Sequence, residues 1–269
     1  MNNKMTDILT NDEYRQINAW SKSDLDNVNK SLALVEWSKK INSGSTQSVE
    51  LGTHIHCAML EPKRFNYEYV KAPDFDLKTK KGRDELEAFK RSIGSDKIIL
   101  EHSIYQTIVN MRESILAHPT ARDLLTKPGQ SEISIFSTIE KIKVKARPDR
   151  IVEPAAFGGA HILVDVKKTA DIDKFKYSVR DFRYHVQDAF YSDVYEAVTG
   201  FKPRFLFVVV SEKKSLDRHP VRVFELDEQT KEIGRSEYLQ DLDRIKESEL
   251  FGSGFDVETL DLSHLFKKY

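Results

Sequence analysis

Residues Lys145 to Lys167 read KARPDRIVEPAAFGGAHILVDVK, and the rest of the chain takes its meaning from them. Ile162, Leu163, Val164 and Val166 form the short apolar run of a buried central strand. Asp165 and Lys167 interrupt it two residues apart, so both side chains point to one face. Asp149 ends the preceding strand, built on Ile142, Val144 and Ala146 and closed by Arg147-Pro148-Asp149. Glu153 to Ala160, rich in Gly and Ala, lies between. An antiparallel hairpin is therefore predicted, with its acids on neighbouring strands.

Two carboxylates held a few ångström apart repel by roughly 4 kcal/mol at an effective dielectric near 20. A fold keeps such a pair where they share a proton or bind a cation. Oxygen ligands suit hard divalent ions, Mg²⁺ or Mn²⁺. A lysine beside them adds a positive charge that can orient a water or stabilise a crowded phosphorus centre, the logic of metal-assisted phosphodiester hydrolysis. The plain alternative, a surface D-x-K ion pair worth at most about 1 kcal/mol, fits poorly with the apolar neighbours. A charge pair inside a central strand is costly unless it serves a purpose.

Outward from this stretch, 269 residues with 42 basic and 43 acidic side chains can bury one substantial core. The 39% hydrophobic and 32% charged composition excludes wholesale disorder. No apolar run approaches the ~20 residues of a membrane span, and acids stand where a signal peptide would be apolar, so a cytoplasmic protein is expected. The single cysteine, Cys57, excludes disulfides within the chain, four-cysteine zinc sites and iron–sulfur clusters. GxxxxGK[ST], GxGxxG and GxSxG are all missing. A net charge of −1 means that any polyanion must be met by a local basic surface.

Ser21-Lys22-Ser23-Asp24-Leu25 predicts a capped helix running to about Lys40. A polar loop follows over 41–48, then a helix from near Val49 that Glu61-Pro62 stops. Lys71 to Arg83 predicts a long mobile loop, followed by helices over 84–93 and 96–117. Strands are expected from Gln130 and Glu132, a helix over 183–199 ended by Gly200, and a very hydrophobic strand over 205–211. An edge strand over 221–226 and a polar helix over 228–248 complete the pattern. The expected fold class is α/β, a central mixed β-sheet flanked by helices with an N-terminal helical region. It is expected as one domain over 1–269: helical part about 1–128, catalytic sheet core about 129–226, C-terminal helix and tail 227–269. In the tail, Leu260, Leu262, Leu265 and Phe266 suggest self-packing.

Pro148-Asp149 with Asp165-Val166-Lys167 resembles the signature of the PD-(D/E)xK nuclease superfamily. Gly52-Thr-His-Ile-His56 resembles the G-x-x-x-H helix of its RecB-like branch, and Gln187-Asp-Ala-Phe-Tyr191 the Q-x-x-x-Y helix. With Ser21 to Asp26, Gly52 to Pro62, Asp165 to Ala170 and Tyr184 to Asp193, the chain is similar to the RecE (exonuclease VIII) exonuclease domain over roughly residues 20–195. The resemblance implies a PD-(D/E)xK nuclease-like core and a Mg²⁺-dependent 5′→3′ exodeoxyribonuclease that digests linear duplex DNA and exposes 3′ single strands for recombination. It implies a ring-shaped homo-oligomer, a tetramer favoured, a RecT-like single-strand annealing partner, no membrane, and a phage or prophage origin. A same-superfamily endonuclease or repair nuclease, or a non-catalytic DNA-binding assembly subunit, are the alternatives. Carried over, His56, Asp149, Asp165 and the Val166 carbonyl are metal ligands in a two-metal site, with Mn²⁺ able to substitute for Mg²⁺. Lys167 is the catalytic lysine. Gln187 and Tyr191, on one helical face, position Lys167 or the DNA.

Other residues carry two readings each. Glu132 is an auxiliary acid reaching metal through water, or a strand-end acid. Lys78, Lys80, Lys81 and Arg83 suit DNA phosphates at the mouth of the site. Lys141, Lys143 and Lys145, continued by Arg147, are a solvated outer strand face or a phosphate track. Tyr184 and His185 are DNA contacts or packing; Tyr195 is packing. His54 is structural and Cys57 a small core residue.

Overall fold

A computed structural model of the chain describes residues 3–6, 9–40, 47–94 and 96–251. In chain order it contains β1 (Lys4–Thr6), α1 (Asn11–Gln16), α2 (Lys22–Lys30), α3 (Leu32–Lys40), α4 (Gln47–Leu60), α5 (Pro62–Glu68), β2 (Tyr69–Lys71), α6 (Lys80–Ser92), β3 (Ile98–Leu100), α7 (His102–Ala117) and α8 (Pro119–Thr126). There follow β4 (Gly129–Ser131), β5 (Ser134–Ile139), β6 (Ile142–Ala146), β7 (Arg150–Val152), β8 (Ile162–Thr169), α9 (Phe175–Asp181), α10 (Tyr184–Thr199), β9 (Arg204–Ser211), β10 (Val221–Phe224) and α11 (Glu228–Phe251).

Five strands form the main sheet in the order β10-β9-β8-β7-β4. β8 and β9 run parallel, with Asp165 opposite Phe207, and the other pairs are antiparallel. A parallel pair needs a crossover, which α9 and α10 supply. A strand covered on both faces must be apolar on both, and β9 is buried from Phe205 to Ser211. Leu163, Phe205, Phe207 and Val209 join one core with residues of α2, α10, α11 and a smaller sheet, β1-β5-β6. Ile162, Val164, Val166, Leu206, Val208 and Val210 join a second core with α4, α7 and α8. The main sheet is thus a middle layer, each fully buried Leu, Ile, Val or Phe contributing about 1.5–3 kcal/mol. Asp165 and Lys167 share the Leu163 face of β8, towards α10. Among the described residues, no helix is long and apolar enough to cross a membrane.

Several expectations are corrected. The helix predicted over 21–40 is two helices, broken where Ser31 turns extended (φ −177°, ψ 135°). A serine at a helix end loses nothing by leaving the helical state. Pro62 both stops α4 and opens α5, since its missing N–H costs nothing at a first helical position. The 71–83 loop is shorter, because the Thr79 hydroxyl accepts from the Gly82 N–H at 3.0 Å and starts α6 at Lys80. A Cβ on Gly82 would lie 2.1 Å from the Asp76 carbonyl oxygen, so only glycine lets that turn close. Ile98–Leu100 is a strand parallel to β2, and the helix begins only at His102.

The predicted hairpin is re-registered. β6 pairs with β5 in the small sheet, and the partner of β8 is β7, Arg150 facing Val164. Pro148 has no N–H for a ladder, so the chain changes sheets across Arg147-Pro148-Asp149. The strand expected from Glu132 begins at Ser134, with Glu132 left-handed (φ 58°) between β4 and β5. Lys145 is not on a solvated face. It is 4% exposed, and its ammonium donates to the carbonyls of Tyr14, Arg15 and Ile17 at the end of α1. The short elements α5, α8, α9 and β2 were not expected. The tail with Leu260, Leu262, Leu265 and Phe266, and residues 41–46 of the polar loop, lie outside the described residues.

Candidate active site

β8 carries the centre of the site. Asp165, 2% exposed, places Oδ2 2.7 Å from the Lys167 ammonium, and its Oδ1 accepts from the Gln187 amide at 2.6 Å. The β-strand repeat puts Asp165 beside Lys167, while α10 crosses the same face and lowers Gln187 onto them. Asp149, immediately before β7, accepts from the Val166 N–H at 2.6 Å. Both acids are thereby fixed to consecutive residues of one strand.

From the opposite layer, α4 presents His56. Its Nε2 donates to the Val166 carbonyl at 2.6 Å and its Nδ1 lies 3.5 Å from Asp149 Oδ2. Glu132 completes the group: one ligand atom from each of His56, Glu132 and Asp149 lies within 4.8 Å of the others. The Glu132 N–H also donates to the Asp149 carbonyl at 3.1 Å. One imidazole and two carboxylates, with the Val166 carbonyl alongside, fit a divalent cation with mixed N/O ligands. Asp165, expected among the ligands, faces Lys167 and Gln187 here, and Glu132 stands closer to His56 and Asp149 than its auxiliary role implied.

Burial drives the electrostatics. It pushes the Glu132 carboxyl up to about 7, helped by the neighbouring charge of Asp149. Asp149 is also raised, first by burial, against the pull of His56, with Asp165 adding to the rise. For Lys167 burial works against the charge, yet Asp165 and Asp149 outweigh it and hold the ammonium above the ordinary lysine range. Lys167 is therefore a fixed positive charge rather than a proton acceptor at neutral pH. The Tyr184 ring lies over it, 4.6 Å from Nζ to centroid.

The remaining predicted residues divide. Tyr191, one turn beyond Gln187, packs edge-on against Phe205 at 6.1 Å, and burial raises its hydroxyl, with the charges of Asp165 and Asp149 adding to the rise. Arg147 spends its donors on Ser134, Asn11 and the Leu9 carbonyl and lies over the Tyr14 ring, so it anchors the N-terminal segment. His185 is held away from the site between the Val179 carbonyl and Glu237 of α11, a packing role. Lys78 sits in the turn before α6; Lys80, Lys81 and Arg83 stand exposed on its first turn, where Arg83 donates to the Leu77 and Lys78 carbonyls. His54 contacts the Tyr69 hydroxyl at 3.1 Å, Cys57 is buried in the core, and Tyr195 meets His161 at 2.8 Å.

One neighbour carried no signal beyond its motif. Lys22, from Ser21-Lys22-Ser23-Asp24, reaches Asp26 and the Phe182 carbonyl, both at 2.7 Å, and flanks Tyr184 at 5.9 Å.

A mixed sheet with helices on both faces, an acid before one strand, D-x-K on the next and a glutamine from the crossing helix define the class of PD-(D/E)xK nuclease-like domains. The chain belongs to the family described as a PDDEXK-like domain of unknown function (DUF3799), which it matches over residues 17–249. Among solved structures it is similar to a Eubacterium rectale protein described provisionally as an exonuclease. The TM-score is 0.65 at 13% identity, covering 97% of this chain and 99% of that one, a likeness of fold. A second structure, SSO0001, aligns over 71% of this chain and 86% of its own at 14% identity, but its TM-score of 0.29 carries no weight. No curated protein matches the sequence.

Proposed function

We propose that the chain is a metal-dependent 5′→3′ exodeoxyribonuclease that digests linear duplex DNA and leaves 3′ single strands for recombination. The observation that carries the proposal is the Asp165–Lys167–Gln187 group set against Asp149, Glu132 and His56 across β8. Membership of a PDDEXK-like family and the exonuclease description of its structural neighbour support the same direction.

His56, Glu132, Asp149 and the Val166 carbonyl would hold a divalent cation, Mg²⁺ in the cell with Mn²⁺ able to substitute. When bound, the ion would supply Lewis acidity and a water of lowered pKa. The chain's own residues do the rest. Lys167 keeps its ammonium where charge builds up as water attacks phosphorus and the bond to the 3′ oxygen breaks. Asp165 holds that ammonium in place, Gln187 holds Asp165, and Tyr184 covers one side of Lys167. DNA ends, a single-strand annealing protein and further copies of the chain in a ring are the proposed partners.

The test is Mg²⁺-dependent digestion of an end-labelled linear duplex beside its covalently closed circle. Early release of the 5′ label with the circle intact is expected, and Asp165→Ala or Lys167→Ala should abolish cleavage while leaving the fold in place. Cutting of the circle would move the protein to the endonuclease class. Wild-type cleavage by well-folded Asp165→Ala would refute the site.

A further inference from the structure

The turn between α9 and α10 holds a non-glycine residue, Arg183, in the left-handed region (φ 52°). Such a conformation costs on the order of 1 kcal/mol or more and persists where the surroundings over-determine it. Here they do. The Arg183 guanidinium reaches the Leu25 carbonyl, Asp26, Glu237 and Asp241 at 2.7–3.3 Å. Lys22 fixes the preceding peptide by donating to the Phe182 carbonyl at 2.7 Å.

The turn has two consequences. Tyr184 is laid across Lys167, and Phe182 is stood outward, 60% exposed. The rings of Phe182 and Tyr184 are 5.7 Å apart between centroids, so Phe182 is the next surface beyond the covered ammonium. On α9 itself Tyr177 is 49% exposed, with the Lys176 ammonium 5.2 Å from its ring centre. An exposed apolar ring packed on the tyrosine that lies over two cations, Lys167 and Lys22, is poorly served by water. It suits a ligand with both flat apolar faces and negative charge, which is what a nucleic-acid strand offers.

We infer that Phe182 is a base-stacking platform: a base of the strand whose phosphodiester lies at Lys167 stacks on its exposed face. The inference rests on the nuclease reading and deepens it by naming the residue that grips an unstacked nucleotide at the cutting point. Every base has a π face, so such a grip tolerates any sequence. That suits an enzyme that must proceed along whatever DNA it meets.

Direct binding to a single-stranded oligonucleotide carrying 2-aminopurine, measured in Ca²⁺ to hold back cleavage, tests this. Phe182→Ala should weaken binding roughly 5- to 100-fold and abolish the quenching of 2-aminopurine. Phe182→Trp should restore both, whereas Phe182→Leu, apolar but without a π face, should not. The ring lies outside the core, so these variants should fold, and a thermal melt checks that they do. Equal binding and quenching by wild type and Phe182→Ala would overturn the platform, as would full rescue by leucine. Because binding is read apart from cleavage, a wild type that grips DNA through Phe182 but never cuts it would refute the nuclease reading alone. A wild type that does not bind DNA would overturn both.

Discussion

Divalent-cation affinity should fall steeply as pH drops through 7, with Glu132 the main cause. Burial beside Asp149 raises its carboxyl to about 7, so in the metal-free protein at pH 6 it holds its proton in roughly nine molecules of ten. A cation needs the carboxylate, and protons compete with it. Between pH 8 and pH 6 this competition alone lowers affinity about tenfold, or ~1.4 kcal/mol. Asp149, raised in the same direction, adds to the loss. Above pH 8 the dependence should flatten. Calorimetric titration with Mn²⁺ from pH 5.5 to 8.5, in buffers of different ionisation enthalpy, reads both the affinity and the protons released. Glu132→Gln should bind more weakly at pH 8 but with a shallower slope, because the competing proton is gone. An affinity independent of pH, or an unchanged slope in Glu132→Gln, would show that Glu132 does not titrate at the metal.

Away from the site, Asp188 is fully buried on α10, and burial pushes its carboxyl from 3.8 up to about 7. The unfolded chain gives up that proton first, so stability is lost as pH rises from about 4 to 7. Asp188→Asn should remove a penalty of at most ~4 kcal/mol at pH 8 and change little at pH 4; equal shifts in urea midpoint at both would count against this. Lys145→Met leaves three carbonyls at the end of α1 without their donor. A loss of roughly 2–4 kcal/mol with early proteolysis over residues 9–17 is expected, and wild-type stability would contradict it. Gln187→Leu strips the Asp165 Oδ1 of its buried donor. Turnover should drop about 10- to 100-fold, and the unsatisfied buried carboxylate should cost roughly 1–3 kcal/mol of stability, so an unaltered kcat in the folded variant would deny Gln187 a positioning role.

Much of the centre was legible because its cues are local. D-x-K inside an apolar run forces a shared face on any strand, and Gln187 to Tyr191 is a single helical turn. β9 and the stop at Gly200 follow from composition and from a backbone angle that glycine adopts freely. What escaped depends on distant partners. Lys145 alternates with Lys141 and Lys143 as a solvated strand would, and only the carbonyls at the end of α1 reveal why it is buried. Arg147 looked like a phosphate contact because nothing nearby announces that Asn11 and Ser134 take its donors. His185 was ambiguous until Glu237, fifty-two residues on, took up its ring. Ile98–Leu100 reads equally well as the start of a helix until β2 is alongside it.

Glu132 and Asp149 occupy the two places where the backbone steps between the small sheet and the main one, from β4 to β5 and from β6 to β7. Mechanically these crossings lie side by side, tied by one peptide hydrogen bond, and form a seam along which the two sheets could shear. The carboxylates stand on that seam like the two halves of a clasp. When both are ionised their like charges repel, and a proton or a cation between them would relieve that repulsion. A cation held there would therefore also stiffen the joint between the sheets.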